Sequence, residues 1–470
     1  MSLQNRPRPT AAKDRLTVIE KLSYGSGAIP FAFAYMGMKQ LAFPIFNMTL
    51  GMSATLIGIV LAVGRLWDAM TDPLMGNISD NARTRWGRRR PYILLGGLLC
   101  GIAFPLMYRV PSGWGEEGIF IWFLVTALLM FTASTVLSVP WLSLSYELTP
   151  DSMERVRVQA YRTYIGAGVG MALPWIYRLA QEDVFGDTMT GMRWLSLGVG
   201  VAFALFVIPV FFGTRERYMK TAGHQQKIGI VRALKETARN RPFILLVGGI
   251  VTSMLCAPML VGSLGIYINS YHVFEGDTKA GAGLLAVAST LFVALKLVIL
   301  PGVVKLSARF GKRTVMRWSL VLGLFASISK FFFYTPAMPY LQFGTILLLS
   351  PSLTAFWLLV DPMKADCADF DEFNTGLRRE GMYAAVANWI EKVSITVVLL
   401  FSGIIIDLSG FDPSLGGNQP EGTLLTLRLA FSLVPTAAFA IALLALHFYP
   451  LGEERMHQIR IELEKRRGEV

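Results

Sequence analysis

The stretch that decides the fold runs from Gly64 to Pro91, GRLWDAMTDPLMGNISDNARTRWGRRRP. Its first half is otherwise apolar but carries Arg65, Asp68 and Asp72, which at i, i+3 and i+7 share one face of a helix. Its second half is a basic run, Arg83, Arg85, Arg88, Arg89 and Arg90, which no membrane helix can bury. Together the halves predict a membrane-crossing helix with a charged stripe, ending in a basic turn outside the bilayer.

Composition extends that reading to the whole chain. Of its 470 residues 53% are hydrophobic and only 16% are charged, and the mean hydropathy is +0.49. Soluble domains carry about a quarter charged residues, so the chain reads as an all-α polytopic membrane protein. The net charge of +12 does not point to nucleic acid, because the excess Lys and Arg fall in short loops between apolar runs. Cys100, Cys256 and Cys367 form neither a metal spacing nor a disulfide framework. Residues 1–21 are polar and basic and lack the apolar core of a cleaved signal, so the first span is expected to act as its own insertion signal.

Apolar runs long enough to cross a bilayer recur twelve times, at 22–49, 55–79, 91–110, 118–146, 157–178, 194–212, 243–271, 281–306, 313–335, 339–362, 382–407 and 423–450. Arg6, Arg8, Lys13, Arg15 and Lys21 in the tail, the run after the second span, and eight cations between 213 and 242 put those segments on the cytoplasmic side. Loops 50–54 and 408–422 have almost no Lys or Arg, so both termini are expected to be cytoplasmic, in the inner membrane. The organisation expected is a tail at 1–21, a six-helix half at 22–212, a linker at 213–242, a second half at 243–450 and a short helical tail at 451–470. Arg88–Arg90 after Trp86-Gly87 are echoed by Lys312-Arg313 after Phe310-Gly311, each between the second and third span of its half, which marks an internal repeat.

Five stretches, in the right order over nearly all the chain, carry a family resemblance: KLSYGSGA from Lys21, RLWDAMTDPLMG from Arg65, RWGRRRP from Arg85, ADCADFDEF from Ala365, and the later Glu380 and Lys392. The chain resembles the glycoside–pentoside–hexuronide:cation symporters of the melibiose permease type, within the major facilitator superfamily. The resemblance implies twelve helices in two pseudo-symmetric halves, a monomer, and uptake of a sugar or glycoside coupled to Na⁺, Li⁺ or H⁺ by alternating access. No other cofactor and no nucleic-acid partner is implied, only small-molecule substrate and membrane lipid.

Asp68 and Asp72 lie one helical turn apart in the membrane, where two carboxylates cannot comfortably both ionise without a cation between them. They can share a proton or ligate a small ion such as Na⁺. Thr71 and Thr135 match family positions that complete such a site with hydroxyls. Pro73 frees the carbonyl of Ala69 and favours a kink. The competing reading is a purely structural Arg65–Asp68 pair, which leaves Asp72 unexplained. For the sugar, the resemblance points to Arg162, which suits carboxylates or paired hydroxyls, to Trp357, and to Asn388 and Lys392 in the eleventh span, where Lys392 is also expected as a tethered cation that replaces the mobile one in part of the cycle; packing or anchoring roles compete for Arg162, Trp357 and Lys392. Glu147, Asp151 and Glu154 after the fourth span, and Asp366, Asp369, Asp371 and Glu372 after the tenth, are expected to pair with the basic turns as an inner gate, with ordinary solvated charge as the alternative.

Two acids of the melibiose-type pocket are absent, since their positions fall on Ala32 and Ser138. The first span instead offers Lys39, on the face of Ala32 and Tyr35. Two acids lost and a lysine gained bias the pocket toward an anion such as a hexuronide. The rival is a Lys39 paired with Asp68 or Asp72 and a neutral substrate. Lys296 and Lys330 are expected either as further buried cations, without an assigned role, or as cations that face lipid near a helix end and snorkel. A proton-coupled or uncoupled transporter, a lysolipid carrier and a ligand sensor on the same scaffold are the other readings. His224, His272, His447 and His457 lie in loops or near helix ends and form no relay, and no nucleophile–base pair, metal spacing or phosphate loop suggests an enzyme.

Overall fold

The computed structural model describes residues 15–149, 151–216, 237–256, 258–376 and 379–467. Expectations that fall on Arg6, Arg8, Lys13, Arg217, Lys220, His224, Lys227, Arg232 and Lys235 lie outside the described residues. Among the described residues every regular element is helical.

The first expected span is not a uniform helix. Helices α1 (Val18–Ser26) and α2 (Ala28–Ala32) lead into a π-turn over Phe33–Gly37, then α3 (Met38–Ala42), then a second π-turn over Phe43–Thr49. A π-turn takes up an extra residue and rotates the downstream helix about its axis, and such turns gather at functional sites. Here they flank Lys39. After this run come α4 (Ala54–Asn81), α5 (Arg90–Met107), α6 (Glu116–Leu148), α7 (Ser152–Ala180) and α8 (Thr188–Gly213). The later helices are α9 (Arg241–Cys256), α10 (Pro258–Tyr267) with a π-turn at Ile268–Val273, α11 (Thr278–Phe310) and α12 (Lys312–Phe333). The chain continues with α13 (Gln342–Thr375), α14 (Glu380–Leu408), α15 (Glu421–His447) and α16 (Glu453–Arg467).

Nine helices among the described residues are long and apolar enough to cross a membrane. The other three expected spans correspond to the interrupted α1–α3 run, to α7 with its polar first turns, and to the α9–α10 run, so the order is consistent with twelve. Several helices overrun their apolar spans. α13 continues to Thr375, past the expected end at 362, because Asp366 and Asp371 there find cationic partners. Lys330 is buried over the Phe431 ring, whereas Lys296 is exposed on α11, so of the two only Lys330 takes the buried position.

The chain divides into two compact units, Met1–Met52 with Val63–His224, and Ser53–Ala62 with Gln225–Val470. In the first, α5 packs on α8 through Gly101 and Gly200, whose backbones come so close that a Cβ on Gly200 would lie 2.4 Å from the Gly101 carbonyl oxygen. Small residues let membrane helices approach in this way where apolar burial alone gives no preference. In the second, α9, α12, α13, α14 and α15 surround a core that includes Phe243, Leu320, Phe356, Tyr383 and Phe439. The start of α4 belongs to this unit, and Asp407 at the end of α14 caps it by accepting the Ala54 and Thr55 N–H groups at 3.0 and 2.8 Å. Helix α16 docks on the end of α13 with Met456, Ile459 and Leu463 buried.

Each unit closes its own basic turn. Arg88 and Arg89 pair with Glu147 of α6, and Arg89 also meets Asp80 at 2.8 Å. Glu216, just beyond α8, accepts the backbone N–H of Arg88 and Arg89 at 2.8 and 2.9 Å. In the second unit Lys312 pairs with Asp366, Arg379 meets Asp371 at 2.8 Å, and Glu453 accepts the Lys312 N–H at 2.8 Å. The repeat seen in the basic residues thus extends to a carboxylate clasp, Glu216 in one unit and Glu453 in the other.

Glu154 is fully buried at the start of α7, accepting from Lys21 Nζ at 2.6 Å, Arg157 at 2.8 Å and the Leu16 N–H at 3.0 Å. Burial alone would raise its pKa, but these donors outweigh burial and hold it below the usual carboxylate value. A depressed carboxylate stabilises the fold above its unfolded pKa and loses that contribution as pH falls through the folded one. E154Q is expected to cost about 3 kcal/mol at neutral pH by leaving the Lys21 ammonium poorly compensated. Thermal unfolding in detergent should also show a shallower acid-side loss for E154Q than for the unmodified protein.

Candidate cation and substrate site

The site in the first unit is set by how α4 crosses α6. Gly64 lies against Phe131, and a Cβ there would fall 1.9 Å from the phenyl ring, so only glycine lets the helices meet at this point. One turn along, Trp67 Nε1 donates to Thr132 Oγ1 at 2.9 Å. The next turn brings the acids of α4 against Thr135.

Thr135 is 1% exposed, and its hydroxyl lies 2.9 Å from Asp68 Oδ1 and 3.1 Å from Asp72 Oδ1. One hydroxyl proton cannot satisfy both carboxylates fully, and the oxygens of this triad are placed so that they can share a proton or ligate a small cation. Thr71 donates to the Trp67 carbonyl at 3.0 Å and reaches Thr135 Oγ1 at 3.3 Å, so it joins this group at its edge. Arg65 Nη1 bonds Asp68 Oδ2 at 2.8 Å. The structural pair and the two-acid site therefore coexist, with Asp68 belonging to both.

The Arg65 guanidinium also lies 5.1 Å from the centre of the Tyr35 ring, and Lys39 Nζ lies 3.6 Å from the same centre. Lys39 is 4% exposed, Arg65 3% and Asp68 8%, so two cations over one phenol ring and the acid bonded to one of them are held away from bulk water. A ring face attracts cations, which offsets part of their mutual repulsion and of their desolvation. The ring continues an aromatic ladder. Phe31 stacks on Tyr35 at 5.9 Å, Trp141 lies 5.1 Å from Phe31, and Tyr24 stacks on Trp141 at 5.2 Å. Arg162 sits over the two middle rings, 5.0 Å from the centre of Trp141 and 5.5 Å from that of Phe31, and bonds Gln159 at 3.1 Å.

The structure thus gathers Asp68, Asp72, Thr71, Thr135, Arg65, Tyr35, Lys39 and Arg162 on one side of the first unit. Ser138 is half-buried one turn beyond Thr135 on α6, and Ala32 is half-buried just before the π-turn. The remaining predicted residues stand in the second unit. Asn388 is exposed and Lys392 half-buried one turn apart on α14, whereas Trp357 packs edge-on against Phe356 at 5.5 Å beside the core. Glu147 and Asp366 are taken up by the basic turns of their own units, and Asp369 and Glu372 are half-buried on α13. Sequence reasoning missed Phe31 and Trp141. Their ladder pattern, aromatic at 24, 31 and 35, is visible in the chain but reads as packing until Arg162 is seen over it.

A helical membrane bundle with an ionisable cluster buried inside one unit is the make-up of a transporter, and solved structures agree on the fold. A bacterial homologue of the human lysosomal transporter Spinster superposes with a TM-score of 0.65 at 13% identity, covering 92% of this chain and 95% of that one. A family model described as MFS/sugar transport protein matches residues 23–453, and the chain belongs to that family. Among curated relatives, the putative glycoside/cation symporter YagG of Escherichia coli is 26% identical over 97% of this chain and 96% of its own. The glucuronide carrier protein homolog of E. coli is 23% identical over 95% and 94%.

T135V keeps the shape of α6 but removes the hydroxyl shared by the two acids. It is expected to weaken cation-dependent stabilisation of the purified protein about tenfold, whereas T135S retains it, as read by thermal shift against Na⁺ and against pH.

Proposed function

We propose that the chain is a cation-coupled symporter that imports a sugar or glycoside carrying a negative charge, such as a hexuronide, by alternating access. The observation that carries the substrate class is the pair of buried cations, Lys39 and Arg65, on the two-acid side of an aromatic ladder. Aromatic faces suit the apolar side of a sugar ring, and buried ammonium and guanidinium groups suit a carboxylate. The positions that carry acids in melibiose-type pockets are Ala32 and Ser138 here, so no acid at those points repels an anion. The glucuronide carrier homologue and the glycoside/cation symporter among its relatives support the same class.

Asp68, Asp72, Thr71 and Thr135 are proposed to hold the coupling cation, Na⁺ or a proton, with Tyr35, Lys39, Ser138 and Arg162 taking the sugar from the first unit. Lys392, Asn388 and Trp357 are its proposed contributors from the second. The proposed setting is the inner membrane, as a monomer with both termini cytoplasmic, where Arg88–Arg90, Lys312 and Arg313 fall on the positive side. Ligand and cation then each raise affinity for the other by the same factor.

Uptake into proteoliposomes of a methyl glucuronide and a methyl glucoside, each with Na⁺ and K⁺ at two pH values, tests the reading. Uronide uptake driven by a Na⁺ or proton gradient is expected, at least tenfold above the neutral glycoside. K39M should lose most of the uronide uptake and keep whatever neutral uptake exists. Neutral uptake that exceeds uronide uptake, or equal loss of both in K39M, would refute the anionic substrate.

A further inference from the structure

The repeat marked by the basic turns also relates residues deep in the helices of the two units. The step along the chain that carries Gly87 onto Gly311 carries Asp72 of α4 onto Lys296 of α11. The step from Glu147 to Asp366, carboxylates that close the two basic turns, carries Thr135 of α6 onto Thr354 of α13. The second unit therefore repeats an acid–threonine pair of the first with the charge reversed.

Packing inside the second unit supports the correspondence. Helix α11 packs on α13, and Ser350 Oγ donates to the Phe292 carbonyl at 3.0 Å. With α12 running back between them, α11 and α13 run the same way, and one turn beyond that bond they reach Lys296 and Thr354. Thr354 is 3% exposed, and its hydroxyl has no hydrogen-bond partner among the described residues, whereas Thr135 spends its own on the two acids. Lys296 is exposed, yet not on the side of α11 that lipid would cover. The exposed Val287 and Val298 lie opposite to it by helical periodicity, and Ala282 and Val303 on its own side are buried. From Lys296 to Leu306, the nearer end of the apolar run, the helix rises about 15 Å, half the hydrocarbon thickness of a bilayer. An ammonium at that depth is costly unless it faces water or a counter-charge, and no carboxylate among the described residues pairs with it.

We infer that Lys296 and Thr354 form a carboxylate-binding point of the second unit, the charge-reversed counterpart of Asp72 and Thr135. An ammonium only donates hydrogen bonds and a hydroxyl can donate one more, so the pair suits an anionic oxygen. The inference rests on the anionic substrate proposed above and adds both residues to the second unit's contributors. Trp357, three residues after Thr354, shares its side of α13, which sets an aromatic residue beside the pair for the ring that carries the carboxylate. The two repeats then divide the ligands, with acid and threonine for the cation in one and lysine and threonine for the anion in the other.

The test measures binding of methyl glucuronide and methyl glucoside to the purified full-length protein by calorimetry, beside Na⁺ binding without sugar. K296M should weaken the uronide about tenfold or more, as loss of a charge-assisted hydrogen bond requires, and leave the glucoside and Na⁺ affinities unchanged. K296R should keep most of the uronide affinity. T354V should weaken the uronide several-fold and T354S restore it, which a purely structural threonine would not do selectively. Equal uronide affinity in K296M and the unmodified protein, or parallel loss of uronide and glucoside, would overturn the inference. If the unmodified protein binds no uronide, the anionic substrate is refuted, and acetate then decides the site by thermal shift. Acetate stabilisation that K296M abolishes would keep it as a site for a free small anion, and acetate stabilisation that is absent or the same in both would overturn it.

Discussion

Buried charge has to be balanced, and the way this protein balances it shapes most of its specific features. Asp68 is bonded on one oxygen by Arg65 and on the other by Thr135, and Thr135 carries the contact on to Asp72. None of the three partners can be moved without exposing an ion to a medium that solvates it poorly. The crossing of α4 and α6 is held accordingly, with Gly64 admitting Phe131 one turn before the acids. The helix register and the charge network are one constraint seen at two scales.

The same requirement is met differently at the basic turns. There the cations are many and partly solvated, and each unit supplies carboxylates at the end of α6 or α13 and a second from the segment after α8 or after α15. Glu216 and Glu453 take backbone N–H groups at a helix start, where the orphan donors and the helix dipole both favour an anion. The pairs lie within their own units, so they fix the basic turns independently of any contact across the molecule. Glu154 does the same for the first helix, tying Leu16 and Lys21 to α7.

Helix α1–α3 shows why an interrupted helix can be useful. Two π-turns flank Lys39, and the side chain ends over Tyr35, one turn earlier on the face that the sequence expects. Unusual turns of this sort cost hydrogen-bond quality and persist where surrounding packing supports them. Here the support is aromatic, from Phe31, Trp141 and Phe104 around the run.

The sequence by itself determined the class of fold and most of the chemistry. Apolar runs separated by basic loops are a composition-level signal, and Asp68, Asp72, Arg65 and Lys39 are conspicuous because charge inside an apolar run is costly. Spacing within one helix put Arg65, Asp68 and Asp72 on a common face, and the structure joins them through Thr135 as local periodicity allows. The tertiary structure decided what periodicity cannot reach. The π-turns, the cation pair on Tyr35, the ladder from Tyr24 to Tyr35 under Arg162, and the carboxylate clasps of Glu216 and Glu453 each depend on residues far apart in the chain or on a break in regular helix. An aromatic or a glutamate reads the same in sequence whether it packs, caps or binds, and only its neighbours in space separate those roles. Trp357 illustrates the difference, since its indole packs beside a hydrophobic core while the unremarked Trp141 lies under a cation.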